Sequence, residues 1–411
     1  MKKNFYLGFI ALIALTVTSC SNDDVVMQSP DVNKAIEFGT YLGRDAQSRG
    51  TIMNDNALKA ADAGFGVLAY YTNKNAWASA NTSATPNFMH NQLVKWNNSA
   101  WEYSPIKYWP TTQGDKITFF AYAPMASTSN GITISGNSVV GTPTVTYTID
   151  LANLENMGDF VADALIDQTR QTSEETLDDN DEPVTFVLNH ELTRVNIQAK
   201  LSANAFGDAA ANKTKVNITD IKFTGTGFAT TGTYTFANVN DVAADATAGT
   251  AAETIRGTWS YTSVGTSQFS IFDTNNTDAN FVKKAAATEL GTYQEVGVSV
   301  PTTETVNLFA ANQYLFLIPA NGETGIGDDK KVSMYVSYDI VTADANLSSN
   351  YSKTSAVKEI VLPDGLLKQG TAYNILLTFG MNEIKLSASV AEWGTVDNSG
   401  NANVDYPKTD K

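Results

Sequence analysis

The feature that most limits the fold of this 411-residue chain is alternation at period two, repeated in short runs along its length. Ile384, Leu386, Ala388 and Val390 fall on one face of a short segment, with Lys385, Ser387 and Ser389 on the other. A strand sends successive side chains to opposite faces, so this spacing predicts a half-buried strand. Residues 184–199 read the same way through Phe186, Leu188, Leu192, Val195 and Ile197, and so do residues 332–340. Residues 216–223 alternate with a slip at Thr219-Asp220, which predicts a bulge. Residues 117–122 and 372–379 also read as strands, and the unbroken apolar run 314–318 suits a strand buried on both faces. Helical signal is scarce. Residues 56–63 are a short candidate, whereas 243–252 lack a large apolar residue to anchor a helix face and read as a loop. Many short strands parted by Gly, Asn and Asp predict an all-β chain built of sandwiches.

The chain is 43% hydrophobic, enough for sizeable cores, and its length allows two or three domains. A net charge of −16, with no Lys/Arg cluster, opposes binding to phosphate backbones, so nucleic acid is not an expected partner. The two histidines, His90 and His190, give histidine-based metal or triad chemistry little material. No Gly-x-Ser-x-Gly, phosphate loop or metal-ligand set stands out, so no enzyme, cofactor or metal is expected. His190 lies two residues from both Leu188 and Leu192, on their face of a strand, and reads as a packed structural histidine. Six acids crowd Glu174, Glu175, Asp178, Asp179, Asp181 and Glu182. Calcium loops space their oxygens and usually turn on a Gly, which this run lacks, so a solvated linker and domain boundary is the better reading.

The N-terminus points to a compartment. Lys2 and Lys3 precede an apolar run over residues 5–17, then Thr18, Ser19 and Cys20. This is the order of a secretory signal, and the run is short for a membrane span. Residues 17–20 are similar to a bacterial lipobox, which implies that Cys20 is acylated and becomes the mature N-terminus. Ser21-Asn22-Asp23-Asp24 resembles the acidic export tag of surface lipoproteins in Bacteroidetes. Cys20 is the only cysteine, so no internal disulfide is available to staple the fold.

Several patches, in order, resemble the fimbrillin family of pilus subunits. Trp109-Pro110 precedes residues 117–124, Ile-Thr-Phe-Phe-Ala-Tyr-Ala-Pro; Asp159-Phe160 leads to Asp163-Ala164-Leu165; residues 186–195 read Phe-Val-Leu-Asn-His-Glu-Leu-Thr-Arg-Val; and Val390-Ala391-Glu392-Trp393 stands near the end. The resemblance implies two tandem transthyretin-like β-sandwich domains with Greek-key-type connections. The expected division is a signal peptide at 1–19, a leader at 20–49 holding a removable first strand, an N-terminal sandwich at 50–183 and a C-terminal sandwich with a tail at 184–411. It also implies a structural subunit of an extracellular fimbrium on the outer membrane, held there by its lipid until processed. Its partners would be other fimbrial subunits and a host or bacterial surface ligand.

In that family a protease cuts after an Arg, the first strand leaves, and a neighbour's strand replaces it. Here Ile36, Phe38, Thr40 and Leu42 share one face of a candidate leading strand. Arg44 and Arg49, two of five arginines in the chain, follow it across a small polar stretch suited to nicking. Arg49-Gly50-Thr51 resembles the cleavage site better than Arg44 does. The candidate donor is the tail after Trp393, with Val396, Val404 and Tyr406 as its apolar anchors. An alternative is a surface glycan-binding lipoprotein, in which Trp77, Trp96, Trp101 and Trp109 would stack on sugars.

Overall fold

The computed structural model describes residues 34–42, 52–60, 63–151, 154, 157–170, 183–202, 214–242, 253–272, 298–300, 304–311, 313–380, 383–391 and 393. In chain order the first strands are β1 (Phe38–Tyr41), β2 (Phe65–Asn73), β3 (Met89–Trp96), β4 (Trp101–Glu102), β5 (Lys116–Ala123), β6 (Ile132–Ile134), β7 (Thr144–Thr148) and β8 (Val161–Gln168). Then come β9 (Val184–Val187), β10 (Asn189–His190), β11 (Thr193–Leu201), β12 (Thr214–Gly225), β13 (Thr231–Thr235), β14 (Thr258–Tyr261) and β15 (Gly265–Ser270). The rest are β16 (Val298–Val300), β17 (Val306–Asn307), β18 (Leu315–Leu317), β19 (Ser333–Ala343), β20 (Tyr351–Val361), β21 (Ala372–Phe379) and β22 (Ile384–Ala391). Of the expected helix at 56–63, a single turn forms, α1 (Asp55–Leu58), capped by Asn54 Oδ1 accepting from Ala57 N at 2.8 Å.

The N-terminal half is built in three layers. Its middle is a six-stranded sheet in the order β10-β8-β5-β2-β3-β4, antiparallel throughout. Both faces of this sheet are covered. Phe65, Val67, Ala69, Ile117, Phe119, Ala121 and Val161 face a two-stranded layer made of β1 and β9. Leu68, Tyr70, Phe120, Tyr122, Ala162 and Ala164 face a four-stranded sheet, β14-β13-β7-β6. That double burial is the physical reason why residues 117–122 are apolar almost without a break: a strand covered on both sides has no solvent face on which to alternate.

The C-terminal half is a sandwich of two five-stranded sheets. One runs β17-β11-β21-β22, with β18 also on β11; the other runs β15-β12-β19-β20, with β16 also on β12. Val195, Ile197, Ile375, Leu377 and Phe379 from the first meet Val216, Ile218, Ile221, Phe223, Met334 and Val336 from the second. The bulge expected at Thr219-Asp220 is present, as a register shift between Ile218 and Asp220 against β19. The expected apolar face of residues 384–390 is only partly covered: Ala388 is buried, but Val390, near the end of an edge strand, is 66% exposed.

Sequence order and sheet membership part company at residue 183. β9 and β10 follow the acidic stretch yet pair with β1 and β8. The β13–β14 hairpin, farther on, joins β7 in the outer sheet of the N-terminal half. Each completes a layer that the first part of the chain leaves short, so a single apolar core runs from Leu68 through Tyr234 to Phe379.

Candidate functional site

The leading strand is present and sits where its alternation places it. Ile36, Phe38 and Leu42 are buried in the core beneath the central sheet, while Glu37 and Tyr41 face out, Tyr41 at 55% exposure. Along one edge β1 runs parallel to β9, with Phe38 opposite Val184 and Tyr41 opposite Val187. Val184 N donates to Glu37 O at 2.8 Å and Leu188 N to Tyr41 O at 3.0 Å. Just before β1, Ile36 N donates to Lys107 O and Trp109 N to Lys34 O, each at 2.9 Å. Tyr103 Oη donates to Ile36 O at 2.7 Å. The strand is thus held on one edge by β9 and on the other by residues 107–109.

Its inward side chains differ in how well they are satisfied. The Phe38 ring lies among four others, at centroid distances of 5.2 Å from Tyr103, 5.9 Å from Phe119, 5.9 Å from Phe186 and 6.4 Å from Phe65. Thr40 also points inward, and its Oγ1 is buried without a hydrogen-bond partner. Gly39 faces out against Thr185, where an added Cβ would come within 2.7 Å of the hydroxyl. Arg44 and Arg49 lie outside the described residues, in the stretch 43–51 between Leu42 and Ile52, both of which are buried. Cys20, the acidic run 174–182 and the tail residues Val396, Val404 and Tyr406 also lie outside the described residues.

A second locus gathers residues from three of the patches noted above. His190 Nδ1 lies 2.6 Å from the buried Asp159 Oδ2, which also accepts from Met53 N at 3.2 Å. The imidazole stacks on Trp393 at 3.9 Å and 1° between planes, and Trp393 Nε1 donates to Gly370 O at 2.8 Å. The buried Arg194 guanidinium sits 4.3 Å over Tyr314 and 5.5 Å over Trp393. His190 is therefore packed and paired, with no nucleophile beside it among its described contacts. The locus ties Met53, close after the stretch 43–51, to Trp393.

Beside it lies a buried polar set that the sequence did not reveal. Glu191 accepts from Gln369 Nε2 and faces Arg256 at 3.6 Å; burial pushes its carboxyl up to about 8, against the pull of Arg256. Asp163 accepts from the amides of Val187 and Ala164, each at 2.7 Å, yet burial still pushes it up to about 7. The bond to Val187 ties β9, the partner of β1, to the central sheet. An Asp set between apolar residues in a strand was the available signal for Asp163; nothing local marked Arg256 or Gln369.

The four tryptophans proposed for sugar stacking are engaged with other rings or a cation. Trp77 is fully buried and meets Tyr70 and Phe120; Trp101 packs on Phe65 and Trp96; Trp109 packs on Phe119; Lys59 Nζ lies 4.7 Å over Trp96.

The comparisons with known proteins agree with one another. The chain is 31% identical over 403 residues to fimbrium subunit Fim1C of Phocaeicola vulgatus, covering 95% of this chain and 96% of that one. A crystal structure of a fimbrial protein from Bacteroides vulgatus superposes with a TM-score of 0.65 at 27% identity, covering 88% of this chain and all of the other. The model of the family described as fimbrillin-like matches residues 51–258, starting just after Gly50 and running through β13 to the first residue of β14. With a family match over half of its length and a relative aligned almost end to end, this chain belongs to the fimbrillin-like family.

Proposed function

We propose that the chain is a structural subunit of a cell-surface fimbria, exported as a lipoprotein on Cys20 and carried to the outer membrane by that lipid. Cleavage after Arg49, with Arg44 as the lesser site, frees β1, and a strand from a neighbouring subunit takes its place. The polymer so formed supports adhesion. The observation that carries this reading is the position of β1: an N-terminal strand that closes a core from outside, followed in sequence by two arginines before the next described residue, Ile52. The fimbrium subunit and the fimbrial protein that the chain resembles support the role.

The energetics favour exchange over simple loss. Burying Ile36, Phe38 and Leu42 is worth roughly 5–9 kcal/mol gross, at about 1.5–3 kcal/mol for each large side chain. Losing β1 uncovers that strip and leaves the edge of β9 unpaired, a surface suited to strand addition. Before the cut, the short tether keeps β1 at high effective concentration; after it, a competing strand has only to bind better than the free leader.

The test is to replace both Arg44 and Arg49 with Ala and express the chain in cells that build the fimbria. The wild type should appear in fimbriae with Gly50 as its N-terminus, and the double variant should stay at the membrane uncut. Normal incorporation of the uncut variant would overturn the proposal.

A further inference from the structure

We propose that the groove vacated by β1 is selective: it takes a strand from a different fimbrial subunit, carrying a large pure-hydrocarbon side chain such as Phe at the second of four inward positions, and residues 394–411 of a second copy do not fill it. This rests on the removal of β1 proposed above and concerns which strand comes in.

The groove has four unequal places. The first, under Ile36, is marked by the Tyr103 hydroxyl, which fixes the backbone oxygen at 2.7 Å. The second is a box of four aromatic rings around Phe38. Three of the four are phenylalanines, and the fourth, Tyr103, already directs its hydroxyl to Ile36 O. A tyrosine entering this box would bury its own hydroxyl among rings, and an alanine would leave a ring-sized void; both cost binding. The third place holds Thr40, whose buried Oγ1 has no partner. Nothing there rewards a hydroxyl, so Val would fit at least as well. The fourth holds the buried Leu42.

The tail can be slid along these places residue by residue. Only one register from 394 onward keeps Asn, Asp, Lys and Pro off the inward row, that of Gly400, Ala402, Val404 and Tyr406. In the direction of β1 it suits the third and fourth places, with Val404 and Tyr406, but puts Gly400 under the first and Ala402 in the four-ring box. Reversed, it puts Val404 in the box and Gly400 where Leu42 was. The next register, from Ala402, brings Lys408 to the place of Leu42. Tyr406 reaches the box only in registers that bring Lys408 onto the inward row, and it carries a hydroxyl, so no register supplies the pure-hydrocarbon ring that the box is shaped for.

The experiment uses the whole chain after Cys20, cut with an Arg-specific protease and freed of its leader by size exclusion. Labelled peptides are then titrated by fluorescence polarisation. The peptide of residues 34–42 should bind; its Phe38→Ala form should bind about 100-fold or more weakly, and its Phe38→Tyr form about 10-fold weakly. Thr40→Val should bind at least as tightly as the parent. The peptide 394–411 should bind about 100-fold or more weakly than residues 34–42, and Gly400→Ile, Ala402→Phe and Tyr406→Leu together should restore it. Equal binding of the unaltered tail, indifference to Phe38→Ala, or failure of the triple change to improve the tail would each overturn the selectivity. Failure of residues 34–42 to rebind, or a leader that never leaves, would instead remove the exchange reading beneath it.

Discussion

The two cores of this chain are closed in different ways. The C-terminal sandwich is sealed by long strands: β19 pairs with β20 over eleven residues and with β12 across the bulge. The core under the central sheet of the N-terminal half is sealed by β1 and β9, two four-residue strands in parallel. One closure spreads its hold over many ladder bonds and is interior to the chain; the other concentrates it in three apolar side chains near a terminus. Under the proposed exchange, the contrast is between a permanent core and one built to be opened and refilled.

Substitutions can break or sharpen that contrast. The largest effect belongs to Phe38→Ala, which should lower the unfolding free energy of the uncut chain by about 3–5 kcal/mol in chemical denaturation. It should do nothing once β1 has been cut away; an equal loss in the cut chain would mean that Phe38 is not what closes that core. Next comes His190→Ala, which leaves the buried Asp159 carboxylate with the amide of Met53 as its hydrogen-bond donor. A loss of about 2–3 kcal/mol is expected, seen in cut and uncut chains alike, because this junction belongs to the permanent part.

pH separates the two closures further. Asp163 and Glu191 hold protons in the folded chain that unfolded carboxyls have already released, so unfolding above about pH 4 gives up protons. Stability should therefore fall as pH rises, through about 7 for Asp163 and about 8 for Glu191, by at most about 1.4 kcal/mol per pH unit for each carboxyl. Melting curves from pH 5 to 9 check this, and Asp163→Asn should flatten the lower part of the slope. A flat profile in the parent would show that these carboxyls titrate normally. Smaller still, Thr40→Val should raise stability by about 1 kcal/mol, by replacing a buried hydroxyl that has no partner with a methyl. The control is Val357→Thr on the outer strand β20, 65% exposed, where a change within about 0.5 kcal/mol is expected.

Much of the leading strand was legible beforehand. Ile36, Phe38, Thr40 and Leu42 alternate with Glu37, Gly39 and Tyr41, and the inward and outward faces follow from that. The bulge in β12 was legible too, because a slip in alternation can be accommodated by an extra residue. His190 could be read as packed from Leu188 and Leu192, but not that Asp159 and Trp393 would hold it. Asp163 gave a faint local sign and Arg256 none, since a buried polar residue and an exposed one look alike in sequence until their neighbours are known.

Alternation is written into the covalent geometry of a strand, so residue order alone was enough to say which stretches extend and which side of each turns inward. Partner choice is different. Every non-proline residue offers the same amide and carbonyl to a ladder, and those groups do not name the strand they will meet. That β1 lies parallel to β9, and that the β13–β14 hairpin joins β7, was settled only when the layers closed over shared apolar surface. The physical reason is that burial is a property of the assembled layers, whereas alternation is a property of the chain.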